Sequence, residues 1–241
     1  MLDSLLDQFR HGDRQALSRL LSMASHGETP EALLNQIPKP RQQSLVIAIT
    51  GSGGVGKSTL IGRLIPIIRK ENQNVAILAC DPRSPLTGGA LLGDRFRMPA
   101  LPDDDGVFIR SLAAASGQGS VSANLPSMTQ LLTAFGFNVV MIETVGAGQG
   151  DTAVRSLGDV AVLLLQPETG DDLQWEKAGL LEVADLVVIH KADLPGAERT
   201  EAQVRETLGL SAGKKAKVLR VSSKSGQGIT ELWQAIQATS S

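Results

Sequence analysis

Residues 51–58 read GSGGVGKS, with the apolar run LVIAIT (45–50) before them and a helix-forming stretch, 57–70, behind. The run fits G-x-x-x-x-G-K-[ST] between a strand and a helix. A chain carrying it must end a buried strand in a glycine-rich turn and point a helix N-terminus at whatever the turn encloses. Gly51, Gly53, Gly54 and Gly56 permit backbone angles closed to other residues, so consecutive N–H groups can face inward. The helix N-terminus adds positive potential where phosphates would lie. Gly53, Gly54, Val55, Gly56, Lys57, Ser58 and Thr59 are therefore the expected phosphate cradle. Lys57 is placed to reach the β- and γ-phosphates, and Ser58 to bind Mg²⁺. The plainer alternative, a glycine-rich turn with no ligand, is disfavoured by the correct flanking elements. Ser52 stands where one class of P-loop ATPases, those that partition plasmids or deliver electrons, carries a second lysine.

Six further apolar runs follow the first: VAILAC (75–80), VFIR (107–110), VVMIE (139–143), VAVLLLQ (160–166), LVVI (186–189) and KVLRVS (217–222). Most are separated by helical segments, and a Gly/Pro-rich loop runs from the second through residue 106. Apolar strands alternating with helices predict an α/β fold, a mostly parallel, doubly wound sheet flanked by helices. Such sheets bind ligands beyond the carboxyl ends of their strands. Ahead of this domain, placed at 44–241, residues 1–43 read as a short helical extension and linker. Within 3–36 two amphipathic helices are expected. Leu17, Leu20, Leu21 and Ala24 line one, and Leu33, Leu34 and Ile37 close the other. PKPRQQ (38–43) is the linker, since its prolines resist helix.

The 241 residues suffice for one sizeable domain, and a net charge of −2 gives no basic field for nucleic acid. Tyrosine is absent, so base-stacking platforms are not expected. The single cysteine, Cys80, excludes an intrachain disulfide and suits a reducing cytoplasm. Core packing is its expected role. No apolar run approaches the roughly 20 residues of a membrane span, and the acidic start MLDSLLDQFRHGD lacks a signal-peptide pattern. The three histidines, at 11, 26 and 190, form no transition-metal cluster.

Acids placed just after strands are candidates for the metal and the terminal phosphate. Asp81 follows VAILAC, Asp94 lies in the next loop, and Glu143 ends VVMIE. Mg²⁺ prefers oxygen ligands and keeps several waters, so one or two carboxylates suffice. Gly146 can offer a backbone N–H to a γ-phosphate, a hydrogen bond that hydrolysis would break.

Taken together, GSGGVGKST, DPRSPLTGGALLGDRFRM, FIRSL, ETVGAGQGD, QPETGDDLQWEKAGLLEVADLVVIHKADL and VSSKSGQG resemble the MeaB/ArgK-type P-loop GTPases, relatives of the human methylmalonic aciduria type A protein. The resemblance covers roughly 45–230. It implies a GTP/GDP- and Mg²⁺-binding chaperone that gates adenosylcobalamin delivery to a cobalamin-dependent acyl-CoA mutase, together with that enzyme's adenosyltransferase or without it. It also implies protection or reactivation of the mutase. The family roles of P-loop lysine and Mg²⁺ hydroxyl fall on Lys57 and Ser58, and those of the metal-site and switch acids on Asp81, Asp94 and Glu143. A third switch falls on residues 168–174.

The resemblance also explains why the strand LVVI stops at His190, Lys191 and Asp193. Guanine-binding GTPases carry N-K-x-D here. The aspartate accepts from guanine N1–H and the exocyclic amine, and the lysine stem packs on the ring. Adenine has no donor at N1, and a carboxylate left unpaired there costs about 1–3 kcal/mol or more. Asp193 and Lys191 keep this logic, while His190 replaces asparagine. Neutral imidazole donates and accepts only through opposite ring nitrogens, so His190 either faces the base or caps the strand against the phosphate loop. Ser222, Ser223 and Lys224 sit where such GTPases place a loop beneath the base.

Two departures are visible. Ala115 stands where a basic residue is expected, and the C-terminal helical arm used by relatives for dimerisation is not expected within this chain, so the resemblance does not fix an oligomeric state. Gln149 is a candidate for orienting water, with a partner-facing switch role as the alternative. Arg95, Arg97, Arg110 and Arg155 are the arginines available to a transition state, and turnover without the partner is expected to be slow. Competing functions are a P-loop kinase of a small metabolite, a nickel-insertion GTPase, and a scaffold that binds nucleotide without hydrolysing it.

Overall fold

The computed structural model describes residues 2–28, 34–37, 43–81, 104–113, 120–144, 151–167, 178–210 and 216–240. Seven strands form one sheet: β1 (Leu45–Gly51), β2 (Val75–Asp81), β3 (Val107–Ala113), β4 (Val139–Glu143), β5 (Val160–Leu165), β6 (Leu186–His190) and β7 (Lys217–Val221). Their order is β3-β2-β4-β1-β5-β6-β7, and every pairing is parallel. β3 runs three residues beyond the expected VFIR, because Ser111, Leu112 and Ala113 pair with Ala79, Cys80 and Asp81. Among the described residues the helices are α1 (Leu2–Arg10), α2 (Arg14–Ser25), α3 (Lys57–Lys70), α4 (Ser120–Phe135), α5 (Ala178–Val183), α6 (Ala197–Leu210) and α7 (Ile229–Ser240), with a 3₁₀ segment at Asp151–Leu157.

Period-two alternation sorts each strand between two cores. Ile47, Ile49, Ile77, Met141, Val162, Leu164 and Val188 pack on one face beneath α3 and α7, with Leu60, Ile61, Leu64, Leu232 and Trp233. Ala76, Leu78, Val140 and Ile142 pack on the other face against α1, α2 and α4. Further along that face, Leu163, Val187 and Ile189 pack on α5 and α6. Cys80 is buried as expected. The doubly wound parallel sheet is therefore the observed architecture.

The N-terminal helices differ from expectation. The chain breaks at 11–13, where Gly12 adopts φ +83° and the Asp13 carboxylate caps α2, accepting from Gln15 N at 2.7 Å and Ala16 N at 3.2 Å. The helix lined by Leu17, Leu20, Leu21 and Ala24 is thus the second of the pair, not the first. Leu33 lies outside the described residues. Leu34 and Ile37 pack on the same core as α1 and α2. Both helices share that core with β2 and β4, so the N-terminal segment is a structural layer of the sheet. At the other face, Arg69 of α3 grips Asp104 ahead of β3 with two bonds of 2.9 and 2.8 Å.

Leu17 has no exposed surface. Leu17→Ala is expected to destabilise the protein by about 2–5 kcal/mol, as deletions of fully buried leucine do. Urea unfolding checks it. A loss well under 1 kcal/mol would show that α2 is not part of the cooperative core.

Candidate functional site

The alternation that builds the sheet also aims its last residues. On β4, Val139 and Met141 lie under α3, so Glu143 emerges on that side at the end of the strand. On β6, Leu186 and Val188 lie on the same face, so His190 follows them. β1 ends between these strands, and its continuation into α3 is the glycine-rich loop. Gly51 adopts φ +145°, and a Cβ there would stand 2.5 Å from the Leu164 carbonyl oxygen. Gly56 adopts φ +102°, and its Cβ would meet the His190 ring at 2.5 and 2.6 Å. Both conformations belong to glycine.

The functional side chains of this loop are buried and bonded. The Lys57 ammonium donates to the carbonyls of Gly51 (2.8 Å) and Ser52 (3.2 Å), across the loop's mouth. The Ser58 hydroxyl donates to Glu143 Oε1 at 2.8 Å. Both residues are under 10% exposed. A hydroxyl and a carboxylate at a helix N-terminus form a hard-oxygen donor set with negative charge, which fits Mg²⁺. Beside them Thr144 donates to Thr50 Oγ at 3.0 Å and its N–H to the Ile49 carbonyl, tying the end of β4 to the end of β1. These threonines carry no sequence signal, because their pairing depends on which strands lie side by side.

A second cluster closes on the loop from β6 and β7. His190 is 3% exposed. Its Nδ1 lies 2.7 Å from the Val55 carbonyl oxygen and its Nε2 2.7 Å from Ser223 Oγ. Burial pulls its pKa below the ordinary 6.5, and the Lys191 charge acts in the same direction. The bond to Val55 and the Asp193 charge oppose them. Lys191 takes a left-handed φ of +57° and swings its ammonium to the Gly54 carbonyl (2.9 Å) and to Gln166 Oε1 (2.6 Å). Gln166, just past β5, is a partner that motif reading did not single out. Asp193 is exposed and accepts from the Ser222 hydroxyl at 2.6 Å. That bond, more than any other influence, holds its carboxyl below the usual 3.8, with its own backbone N–H and the Lys224 charge adding to it. Ser222 is fully buried, Ser223 nearly so, and Lys224 is exposed.

Lys57, Ser58 and Glu143 thus meet at one end of the phosphate loop, and His190, Lys191, Asp193, Ser222, Ser223 and Lys224 gather beyond its other side. Gly53, Gly54, Val55 and Thr59 lie in the loop and first helical turn between them. Asp81 ends β2, and its side chain is not among those described. Asp94, Gly146, Gln149 and the switch at 168–174 lie outside the described residues, as do Arg95, Arg97 and Ala115. Two of the candidate arginines point elsewhere. Arg110 on the edge strand donates to Ser22 of α2 at 2.8 Å. Arg155 holds the Gly158 and Asp159 carbonyls just before β5 begins, at the end of the strand away from the loop. No group of three or more His, Cys, Asp or Glu suited to a metal occurs among the described residues. No helix among them is long and apolar enough to cross a membrane.

Known proteins resemble this chain in sequence and in fold. The family model described as methylmalonyl-CoA mutase-associated GTPase MeaB matches residues 15–241. GTPase ArgK of Escherichia coli is 34% identical over 243 residues, spanning 95% of this chain and 73% of its own. The methylmalonic aciduria type A homolog of Mus musculus, a mitochondrial protein, is 37% identical over 198 residues, 79% of this chain and 48% of its own. Among solved structures, a LAO/AO transport system kinase superposes with a TM-score of 0.76 at 26% identity, covering 99% of this chain and 74% of that one. The hydrogenase maturation factor HypB of Archaeoglobus fulgidus shares the fold, with a TM-score of 0.60 at 18% identity over 100% of this chain and 98% of its own.

The depressed His190 pKa has a definite sign. The unfolded chain takes up a proton near pH 6.5, while the folded protein resists until lower pH. The unfolded state then binds more protons, so stability falls as pH drops below about 6.5. Urea midpoints measured from pH 7.5 to 5.5 are expected to fall, and to fall less steeply in His190→Asn. Equal slopes would show that His190 titrates alike in both states.

Proposed function

Because this chain belongs to the family of methylmalonyl-CoA mutase-associated GTPases, we propose that it binds and hydrolyses GTP in the cytoplasm. In that reading it is a chaperone gating adenosylcobalamin loading, protection and reactivation of a cobalamin-dependent acyl-CoA mutase. The observation that carries this reading is the junction of two chemistries on one loop. The Ser58–Glu143 pair stands at the helix N-terminus, and the Lys191–Asp193 base reader is bonded to the same loop through the Gly54 carbonyl. Domain limits of 1–43 and 44–241 go with this proposal, the first segment packing as a layer on the second.

In this reading each candidate residue takes a role. The Lys57 ammonium, bonded to the Gly51 and Ser52 carbonyls in the free protein, would exchange them for β- and γ-phosphate oxygens. Ser58 and Glu143 would hold Mg²⁺, with Asp81 and Asp94 orienting its waters. The ion would neutralise charge building up on the phosphates. Asp193 accepts from the N1–H and amine of guanine, and Ser222 keeps that carboxylate oriented and ionised. Gly146 and residues 168–174 would register the γ-phosphate and pass its presence to the mutase, with Gln149 orienting water or facing the partner. A kinase reading has one support, the name borne by the superposing LAO/AO transport system kinase. Release of inorganic phosphate to water, without transfer to a metabolite, separates the two.

Two substitutions test this function. Lys57→Ala is expected to abolish GTP binding and any stimulation of hydrolysis by a mutase, measured by calorimetry and phosphate release. Persistent stimulation would misplace the site. Asp193→Asn turns one acceptor into a donor. It is expected to weaken GTP by about tenfold or more and favour xanthosine triphosphate, whose 2-oxo group accepts where guanine donates. Unchanged preference would mean that Asp193 does not read the base.

A further inference from the structure

Residue 190 is the one position of the base-reading run at which this chain departs from N-K-x-D, and both of its ring nitrogens are engaged within the protein. A carbonyl oxygen only accepts, so the 2.7 Å approach of Nδ1 to Val55 O requires the proton on Nδ1. Nε2 is then the acceptor, and the Ser223 hydroxyl donates to it at 2.7 Å. The ring fills the space a Cβ on Gly56 would take, so it also holds the loop's left-handed turn from below. No ring N–H remains for a ligand. From this we infer that His190 is a positioning residue, a rigid strut between the phosphate loop and the β7–α7 loop that makes no hydrogen bond to the purine.

The strut joins segments far apart in sequence. Val55 is 135 residues from His190 and Ser223 is 33 away. It therefore fixes the distance between the two halves of the site, phosphate amides on one side and base loop on the other. The groups set against the ring are few. The phosphate loop contributes the Val55 carbonyl and Gly56, and the β7–α7 loop contributes the Ser223 hydroxyl. The charges acting on it are Lys191 and Asp193, both from the ring's own loop. With a neutral partner on each nitrogen, the uncharged ring satisfies every polar atom around it. An asparagine at this position could keep the Val55 bond through its amide but would not reach Ser223.

The inference rests on reading this end of the sheet as a guanine-nucleotide site, and its test separates the two. Guanine's acceptors away from the Asp193 edge are O6 and N7, so an N–H from residue 190 would have to reach one of them. Displacement of a fluorescent GDP is measured with GDP, with 7-deaza-GDP, which lacks the N7 acceptor, and with 6-thio-GDP, whose sulfur accepts only weakly in place of O6. His190→Ala is expected to weaken all three by the same factor, about tenfold. His190→Asn should stay within about threefold of the parent for all three, because the Val55 bond is restored. A loss for GDP that either analogue escapes would mean that residue 190 contacts the base, and no loss for any of them would mean that the strut does not shape the site. Both results overturn the inference. Should His190→Ala not fold, ¹⁵N spectra of the unsubstituted protein at pH 7.5 decide it. A proton on Nδ1 and a bare Nε2 are expected, and the opposite tautomer or an imidazolium refutes it. If the unsubstituted protein prefers ADP to GDP, the guanine reading falls, while the spectra still report on His190.

Discussion

The structure depends on holding a strand-to-helix turn in conformations the chain does not otherwise favour. The loop between β1 and α3 places Gly51 and Gly56 at positive φ, directly before the first turn of α3. Isolated glycine-rich chain has no reason to stay there, since ordering each residue costs roughly 1–2 kcal/mol of conformational entropy. Bonds from other elements hold it. His190 takes the Val55 carbonyl, Lys191 the Gly54 carbonyl, and Lys57 those of Gly51 and Ser52. Four carbonyls of the run, those of residues 51, 52, 54 and 55, are thereby tied to side-chain donors.

The two donors from outside the 51–58 run, His190 and Lys191, come from the carboxyl end of β6, which is not adjacent to β1. β5 lies between them and contributes Gln166, against which the Lys191 ammonium rests. On the other side β4 contributes Glu143 to Ser58 and Thr144 to Thr50. The parallel sheet matters for this reason. It brings the ends of β4, β1, β5 and β6 to one level, in register Ile49↔Glu143 and Leu165↔Ile189. The candidate site is then assembled from single residues at or one step past the strand ends. The helices behind contribute rigidity. α1, α2 and α4 cover one face under β2 and β4, and α3 with α7 covers the other.

How far the residues alone reveal this can be judged element by element. The strands were legible because each is a short β-branched run with a polar stop. The helix Lys57–Lys70 was legible because the P-loop fixes its start and its apolar spacing fixes its face. The break between α1 and α2 is only weakly marked. His11-Gly12-Asp13 is a modest punctuation, and the apolar periodicity resumes at once behind it. Of the site, Lys57, Ser58 and Glu143 are marked by the P-loop pattern and by position after a strand, and Lys191 and Asp193 by the resemblance to N-K-x-D. Gln166, Thr50 and Thr144 were not, since nothing local marks them and their partners are 25 and 94 residues away. The two options for His190 stayed open in the sequence because the choice lies in which carbonyl its Nδ1 meets.

That choice bears on how an exposed carboxylate can select a base. With His190 turned inward, discrimination on the proposed reading falls to Asp193 alone. Its Oδ1 already accepts the Ser222 hydroxyl, and an ionised carboxylate has room for about four donors, so capacity remains for the N1–H and amine of guanine. Water satisfies the group while it is uncovered. Once a purine ring lies over it, water leaves, and each acceptor must be met by the base or lose its hydration uncompensated. Adenine turns a lone pair toward it and guanine turns two donors. Asp193, held below the usual carboxylate range chiefly by the Ser222 bond, is a charged acceptor at physiological pH. Selectivity then arises on binding, from an aspartate oriented by a buried serine, and the imidazole beneath needs only to keep that serine's neighbour and the phosphate loop in place.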